Sequence, residues 1–404
     1  MKTVNGKFGK AIVCTDLVDD NSIAQVKELL DQPFVEGQKV RMMPDIHAGK
    51  GCVVGTTMTV TDKICPNLIG VDIGCGMLAT KIDKKEVDFE LLDKTIRRDI
   101  PSSTNVRRDA VREAYTLDIE SLYCAEHVDI DRARKSIGTL GGGNHFIELD
   151  RDSAGDIWLV IHSGSRHLGV EVAKYYQNQA IKSLHKLTKD VVNRIVKKMK
   201  DEGREAEIQS TIEAMKTDTE KVPDDLCWCE GELFDKYVHD MRITQEFASI
   251  NRETMSRIIC EKMGWTVCDE FETIHNYLDT KNMIMRKGAV SAYKNERLII
   301  PMNMRDGSLI CIGKGNPTWN YSAPHGAGRV MSRTQARNNI ELFAYAETME
   351  KAGIWTSSVN LGTIDEAPMA YKPMESIIKN IRTTATLIDV IKPIYNFKAS
   401  DGRR

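Results

Sequence analysis

The most informative stretch of this chain reads Val71-Asp-Ile-Gly-Cys-Gly-Met77 and continues into Leu78-Ala-Thr-Lys-Ile82. The β-branched second part predicts a strand. The glycines before it predict a turn in which Asp72 and Cys75 can face one point. Carboxylate and thiolate are both anionic metal ligands, and a thiolate can bridge two ions. A GxGxxA nucleotide loop is an alternative that the strand-like continuation disfavours, and a buried core thiol at Cys75 is another.

Four further segments pair a glycine-rich turn with histidine. They are Met43-Pro-Asp-Ile-His-Ala-Gly-Lys-Gly51, Gly141-Gly-Gly-Asn-His-Phe146, His162-Ser-Gly-Ser-Arg-His167 and Pro324-His-Gly-Ala-Gly-Arg329. Five of the chain's 9 histidines lie in these segments. Histidine, cysteine and aspartate gathered on turns are typical of a metal-assisted active site.

His145 and His162 each stand at the edge of a strand-like segment. A lone histidine there is more often a hydrogen-bonded core residue, but two beside glycine turns favour metal ligation. His275, in Thr273-Ile-His-Asn-Tyr277, has the weakest signal.

His325 lies between a proline and Gly326-Ala-Gly-Arg329, so little side-chain bulk shields its imidazole. Exposed backbone N–H groups and Arg329 could hold a phosphate there, which favours a histidine nucleophile that forms a phosphoramidate. A loop histidine beside a phosphate site is an equally good interpretation from the chemistry alone. The Gly-Lys-Gly turns at 49–51 and 313–315 lack the spacing of a P-loop.

Length and composition bound the class of protein. A chain of 404 residues predicts one large domain or two closely joined ones. We expect a cytoplasmic protein without membrane association, because the 10 cysteines lack a paired CxxC pattern and neither a signal peptide nor a spanning apolar run is visible. A net charge of −2 argues against a protein that coats nucleic acid indiscriminately, although the arginines near 97, 107 and 132 could form a local basic groove.

The order of sequence patterns predicts a mixed α/β or α+β architecture. The first 80 residues read as strands and turns, with an Asn-Gly hairpin signal at Asn5-Gly6. From about 170 to 265 the pattern is mainly helical and predicts an insertion, with an exposed, charged helical hairpin near 189–216. Strand-like segments return at Leu298-Ile-Ile-Pro301 and Ser308–Gly313, and Ser332–Lys351 reads as helix.

Taken together, these motifs resemble the RtcB family of RNA-splicing ligases. The family pattern includes Met-Pro-Asp-Ile-His, Gly-Val-Asp-Ile-Gly-Cys-Gly-Met, Gly-Gly-Gly-Asn-His-Phe-Ile-Glu, His-Ser-Gly-Ser-Arg, His-Asn-Tyr and His-Gly-Ala-Gly-Arg, and this chain has them in that order. The resemblance implies a single RtcB-like catalytic domain over 1–404, with mixed strands around a central metal cleft and the 170–265 helical insertion within it. It implies an enzyme that uses GTP and manganese to join an RNA 3′-phosphate or 2′,3′-cyclic phosphate to a 5′-hydroxyl.

The resemblance also implies a role for each matching residue. Two manganese ions would be held by Asp72, Cys75, His145, His162 and His275, with Cys75 bridging. His325 would be the nucleophile that takes GMP from GTP, oriented by Asp45. The nucleotide would be bound by Asn144, Glu148, Arg166, Gly326, Ala327, Gly328, Arg329, Tyr371 and Lys398, with Lys398 reading the guanine. Arg166, Arg329 and Arg333 would clamp the phosphates of GTP or of the RNA end.

Some positions depart from the commonest family pattern. Pro301-Met-Asn-Met-Arg-Asp-Gly-Ser308 stands where many members carry a Pro-Gly-Ser-Met-Gly type of loop beside the guanine pocket, so nucleotide selectivity is open. RNA repair and tRNA splicing are both compatible with the sequence, and so is a need for an activating protein partner. Two alternatives remain: a dinuclear-metal phosphoesterase that uses water in place of His325, and a non-catalytic RNA-binding paralogue.

Overall fold

The computed structural model describes residues 1–185, 189–217 and 222–399, and it is a mixed α+β structure as predicted. The strands are β1 Lys2–Asn5, β2 Lys10–Val13, β3 Val40–His47, β4 Val54–Thr59, β5 Lys63–Ile64, β6 Gly76–Ile82, β7 Phe146–Arg151, β8 Ile157–Ser163, β9 Cys229–Glu230, β10 Val267–Ile274, β11 Asn276–Asp279, β12 Ile284–Lys287, β13 Ala289–Ser291, β14 Arg297–Asn303, β15 Gly307–Gly313, β16 Ser322–Pro324, β17 Trp355–Thr356 and β18 Ala385–Lys398. The helices are α1 Asp20–Leu30, α2 Pro66–Ile69, α3 Phe89–Asp99, α4 Ile130–Ser136, α5 Arg166–His185, α6 Lys189–Asp201, α7 Ile208–Thr217, α8 Glu232–Met263, α9 Arg333–Asn339, α10 Leu342–Lys351 and α11 Met374–Ile381.

An eight-stranded sheet forms the centre of the fold, in the order β10-β6-β8-β7-β18-β15-β14 with β17 paired to β18. Its path is antiparallel throughout, and only β17 runs parallel to its neighbour. Apolar side chains of α3 and α8 cover one face of this sheet together with the strand residues Ile147, Leu159 and Ile161. Because successive side chains alternate across a strand, Phe146, Glu148 and His162 lie on the opposite face.

A six-stranded sheet, in the order β1-β2-β3-β4-β12-β11, contains Asp45 and His47 on β3. The register of β3 against β4 is broken between Met42 and His47. Irregular pairing of this kind re-aims side chains locally, and Asp45 lies within the irregular stretch. A short pair, β13 with β16, sets Ala289 opposite Pro324 and so places His325 beside the end of β12.

The described part of the 170–265 segment is mainly helical, as the sequence predicts. Its helices are not equally buried: α5 and α8 contribute Val172, Tyr176 and Tyr237 to the largest apolar cluster, whereas the described side chains of α6 are mostly exposed. Residues 186–188 and 218–221, which flank the charged hairpin predicted near 189–216, lie outside the described residues. That this segment is an insertion within one catalytic domain stays a prediction.

Two local expectations are corrected. The first 80 residues contain a helix, α1, because Asp19 caps it by accepting from the Ser22 N–H at 2.8 Å while Val26, Leu29 and Leu30 bury one helical face. The segment 332–351 is two helices, α9 and α10, because Ile340 turns to an extended conformation after α9. Strands β1 and β2 form the predicted hairpin. No helix among the described residues is long and apolar enough to span a membrane.

Candidate active site

Strand register brings the predicted metal-ligating side chains to one edge of the eight-stranded sheet. Gly76 at the start of β6 pairs with Ser163 at the end of β8 and with Ile274 at the end of β10. Phe146 at the start of β7 pairs with His162. Residues just before β6 and β7, at the end of β8 and just after β10 therefore meet, although they are up to 203 positions apart between Asp72 and His275.

Asp72, Cys75 and His145 form the first cluster, with ligand atoms that all lie within 4.8 Å of one another. His145 Nε2 is 3.0 Å from Asp72 Oδ2 and 3.6 Å from Cys75 Sγ. Nδ1 of the same ring lies 3.0 Å from the Leu140 carbonyl and donates to it, so Nε2 would serve as the metal ligand once its hydrogen bond to Asp72 is given up. The cluster therefore offers an oxygen, a sulfur and a nitrogen ligand.

Cys75, His162 and His275 form the second cluster, again with ligand atoms within 4.8 Å. His162 Nε2 lies 3.3 Å from Cys75 Sγ, and its Nδ1 faces the Asn144 carbonyl at 3.1 Å. The backbone of His275 is held by its N–H on the Cys75 carbonyl at 2.9 Å. Because both clusters share Cys75, the arrangement can hold two neighbouring ions with the thiolate between them.

The charge states of these groups in the absence of metal follow from burial. Burial raises the pKa of the Cys75 thiol well above its usual value, and the nearby Asp72 carboxylate raises it further. Burial lowers the pKa of His162 and His275 well below the usual range. For Asp72, burial raises the pKa, but hydrogen bonding and charge from His145 outweigh it and leave the value at about 2. Neutral imidazoles and an ionised carboxylate suit cation binding, and a bound ion would deprotonate the thiol.

One atom of the second cluster independently indicates a missing partner. Nδ1 of His275 is buried and has no hydrogen-bond partner among the described residues. A buried nitrogen without a partner is energetically unfavourable. A cation bound at this imidazole would remove that penalty, so the residues present fit a metal centre.

A buried arginine braces the metal-ligating turns from behind the sheet. Arg252 of α8 donates through one nitrogen to the carbonyls of Gly74 and Ser163, at 2.8 and 2.6 Å, and pairs with Glu272 at 2.7 Å. The turns before β6 and after β8 are thereby tied to one side chain. Arg252 was not identifiable from the sequence, because a charged residue in a long helix is more often part of a solvated surface.

His325 stands opposite the metal-ligating edge, on the loop after β16. Its Nδ1 lies 2.6 Å from Asp45 Oδ2, and the same oxygen accepts the backbone N–H groups of His325 and Gly326 at 3.1 and 3.2 Å. Asp45 is fully buried, so the short contact is a charge-assisted hydrogen bond shielded from water. Because Nδ1 carries the shared proton, Nε2 has the lone pair and is nucleophilic.

Two residues near His325 were not singled out by the sequence analysis. Burial lowers the pKa of His47 to about 4, partly offset by a hydrogen bond to the Asp45 carbonyl, so this ring is neutral. The Lys372 ammonium donates to the carbonyls of Leu17, Pro44 and Ile46 at 2.9 to 3.0 Å and so holds the strand that carries Asp45. His47 belongs to the glycine-rich segment 43–51 that was recognised in the sequence. Only the fold shows that Lys372 lies beneath that segment.

A cavity of about 670 Å³ opens beside these groups. His162 and His275 of the second metal cluster line it, and so does His325, whose ring centroid lies 4.8 Å from that of His275. The divergent loop also contributes, through Pro301 to Met304. A ligand in this cavity can therefore touch the candidate metal centre and the candidate nucleophile at once.

The far wall of the cavity carries a buried ionic network around Glu366. This carboxylate pairs with Lys398 at 3.0 Å, with Arg329 at 3.3 Å and with Arg333 at 2.6 Å, and it accepts from the Tyr371 hydroxyl at 2.6 Å. Burial raises the pKa of Glu366, but the three cations outweigh it and leave the value at about 2. The sequence analysis named the cations and Tyr371 and missed the carboxylate that collects them.

The remaining predicted residues divide between the cavity and its support. Asn144, Glu148 and residues 326–328 line the cavity. Arg166 does not appear in its lining: it is half-buried, its guanidinium donates to Thr139 Oγ at 3.0 Å and to the Ser103 carbonyl at 2.7 Å, and it lies under the turn that precedes His145. The fold thus brings all the predicted side chains to one region except Arg166, which supports it from the side.

Comparisons with known proteins find matches along most of this chain. The family model described as "tRNA-splicing ligase RtcB" matches residues 25–125 and 116–399. The chain is 29% identical to "RNA-splicing ligase RtcB" of Escherichia coli (strain K12), over 94% of this chain and 93% of that protein. It is 26% identical to "tRNA-splicing ligase RtcB" of Aeropyrum pernix, over 83% of this chain and 82% of that protein.

Proposed function

Because the chain belongs to the RtcB family and is an RNA ligase, we propose that it joins an RNA 3′-phosphate or 2′,3′-cyclic phosphate end to a 5′-hydroxyl end with GTP and manganese. One observation carries the proposal. The proton on His325 Nδ1 is held by the Asp45 carboxylate at 2.6 Å, so Nε2 is free beside a cavity that two candidate metal ligands also line.

Two manganese ions would be held at the sheet edge, one by Asp72, Cys75 and His145 and the other by Cys75, His162 and His275. The bound ions supply Lewis-acid neutralisation of phosphate charge. Imidazole and carboxylate ligands accept manganese, whereas one thiolate alone would favour softer metals. The choice of manganese therefore rests on family membership more than on the donor set.

The nucleotide would occupy the 670 Å³ cavity. Arg329 and Arg333 would clamp phosphate oxygens, with the residue 326–328 backbone beside them, while Arg166 would act by supporting the His145 turn. Asn144, Glu148, Tyr371 and Lys398 would contact the sugar and base, and Lys398 would read guanine. Since Glu366 already neutralises several of these cations, an incoming triphosphate would compete for them.

The reaction follows from a nucleophile with a free Nε2. That nitrogen would attack the α-phosphorus of GTP, forming a P–N bond as the bond to the pyrophosphate oxygen breaks. A 2′,3′-cyclic end would first add water across its P–O2′ bond to give the 3′-phosphate and a 2′-hydroxyl. The RNA 3′-phosphate oxygen would then attack the phosphorus of the GMP on His325, and His325 would leave as neutral imidazole, with its Nδ1–H kept on Asp45. In the last step the RNA 5′-hydroxyl would attack the activated 3′-phosphorus and expel GMP, losing its proton to solvent or a nearby base.

A joining assay tests this proposal. An RNA with a labelled 3′-phosphate is incubated with a 5′-hydroxyl RNA, GTP and manganese, and products are separated by gel. We expect joining by wild type and none by His325→Ala or Cys75→Ala, with circular dichroism showing that the variants are folded. Release of free phosphate by His325→Ala would instead support a dinuclear-metal phosphoesterase. RNA binding without joining or phosphate release by wild type would support a non-catalytic paralogue.

The biological setting also remains a proposal. We propose action on RNA in the cytoplasm, in repair or in tRNA splicing, where the free cysteines of the chain would stay reduced. Omitting and adding a cell extract in the same assay would show whether an activating protein partner is needed.

A further inference from the structure

A buried pair of carboxyl groups, Glu148 and Asp150, lies at the cavity, and Asp150 has no role in the chemistry above. Glu148 and Asp150 are two residues apart on β7, so both side chains lie on the sheet face that also carries Phe146. Glu148 is 2% exposed and lines the cavity. Asp150 is fully buried and does not appear in the lining. Glu148 thus stands between Asp150 and any bound ligand.

The surroundings of Asp150 are apolar. Its register partners are Trp158 on β8 and Pro393 on β18, and this face of the sheet is covered by the cluster of Phe146, Trp158, Val160 and Ile391. Neither Asp150 oxygen has a hydrogen-bond donor among the described residues. An ionised carboxylate in such a place is strongly disfavoured.

Glu148 is better supplied with partners. Its Oε2 accepts from Asn396 Nδ2 at 2.5 Å, and the Lys398 ammonium is close enough to stabilise its charge. The titratable neighbour that acts on Asp150 is Glu148, two residues away on the same face of β7, and two adjacent buried carboxylates cannot both be ionised at low cost. One proton between them satisfies both.

We propose that Asp150 is a positioning residue whose protonated carboxyl group donates a hydrogen bond to Glu148 and fixes that carboxylate as an oriented acceptor for the N–H or O–H donors of the bound nucleotide. The proposal rests on the proposed function for the identity of the ligand as GTP, but the proton on Asp150 does not depend on it. Burial and the Glu148 charge both raise the pKa of Asp150, which supports the assignment. Burial also raises the pKa of Glu148, to about 7, while Asn396 and Lys398 oppose the rise.

Infrared spectroscopy of the ligand-free protein tests the proton directly. At about pH 8.5, where Glu148 with its pKa of about 7 is ionised, the wild type should show the C=O band of a protonated carboxylic acid, and Asp150→Asn should lack it. Asp240→Asn is the matched control, because Asp240 is equally buried but, unlike Asp150, accepts hydrogen bonds from the Tyr123 and Cys124 N–H groups and from the Tyr176 hydroxyl. Its substitution should leave the band unchanged. No band in wild type, or a band that persists in Asp150→Asn, would overturn the proposal.

Nucleotide affinity tests the positioning role. Asp150→Asn keeps an N–H donor for Glu148 and should bind GTP within about threefold of wild type, whereas Asp150→Ala should bind about tenfold more weakly, since one oriented charged hydrogen bond is at stake. The loss should appear in KM for GTP and not in kcat, because Asp150 is outside the cavity lining and Glu148 would contact the sugar and base of the nucleotide, not the reacting phosphate. Equal affinity of Asp150→Ala and wild type would refute the role. If wild type does not bind GTP at all, the proposed function fails, and the infrared result still decides the proton.

Discussion

Replacing Asp45 tests whether its charge activates His325. Oδ2 of Asp45 accepts three hydrogen bonds, from His325 Nδ1 and from the N–H groups of His325 and Gly326, while Oδ1 has no partner among the described residues. Asparagine can therefore place its amide oxygen at the Oδ2 position and its NH₂ at the Oδ1 position. The geometry and tautomer of His325 should survive in Asp45→Asn, and only the negative charge should be lost.

The charge matters because His325 becomes cationic as its Nε2 bonds to phosphorus. A hydrogen bond to a charged group contributes about 1.5 to 3 kcal/mol, which corresponds to a rate loss of about 10- to 100-fold for Asp45→Asn. Asp45→Ala also removes control of the tautomer, and loss of that control in a comparable histidine–aspartate pair costs about 10⁴-fold. The assay is the rate of guanylate attachment, followed by intact mass in quenched samples. Asp240→Asn serves as control: it should lower stability and leave the rate of the folded protein unchanged. An Asp45→Asn rate equal to wild type would refute the reasoning.

Three other perturbations follow from the structure. Cys75→Ser should abolish manganese binding at both clusters, whereas Cys260→Ser, which changes another buried thiol, should retain it. Electron paramagnetic resonance of the free ion during a titration measures how many ions bind. Two ions bound to Cys75→Ser would argue against a bridging thiolate. Gly328→Ala should lose about 1 to 3 kcal/mol more unfolding free energy in urea than Gly353→Ala. Both glycines have positive φ (73° and 68°), but only a Cβ at Gly328 would clash with the Asp45 carbonyl oxygen. Equal losses of unfolding free energy in the two variants would contradict the clash. Glu366→Gln should be less stable than wild type by about 3 kcal/mol at pH 7, since the folded pKa is about 2 against an ordinary 4.5. A carboxyl group whose pKa is lower in the folded than in the unfolded protein stabilises the fold at pH values above its unfolded pKa. The stability difference between wild type and Glu366→Gln should therefore shrink as the pH falls below 4.5 towards 2. A stability difference that stays constant with pH would exclude this mechanism.

Local signals in the sequence predicted much of the site. The strand after the Asp72 turn and the strand edges at His145 and His162 carry β-branched residues beside glycines. These short-range patterns were sufficient to predict the strands and to select candidate metal ligands beside them. His275 had the weakest local signal, yet antiparallel pairing of β10 with β6 carries it to the same sheet edge. Register of this kind depends on tertiary packing and is invisible in a single segment.

The residues that escaped prediction are buried charges. Arg252, Lys372 and Glu366 sit in segments whose letters are those of exposed surface, and only the fold shows that each is enclosed by carbonyls or opposite charges. Asp150 escaped for the same reason, because alternation along β7 reveals its face but not the absence of donors around it. Helix α1 is different: its cap at Asp19 and its buried spacing were readable in the sequence and were overlooked.

Intact-protein mass after incubation with GTP and manganese would show whether His325 carries a guanylate. We expect a mass increase of one guanylate in wild type, loss of that guanylate as GTP when pyrophosphate is added, and no increase in His325→Ala. Wild-type protein that binds manganese and GTP but gains no mass would contradict a covalent histidine intermediate, and so would an adduct that persists in His325→Ala.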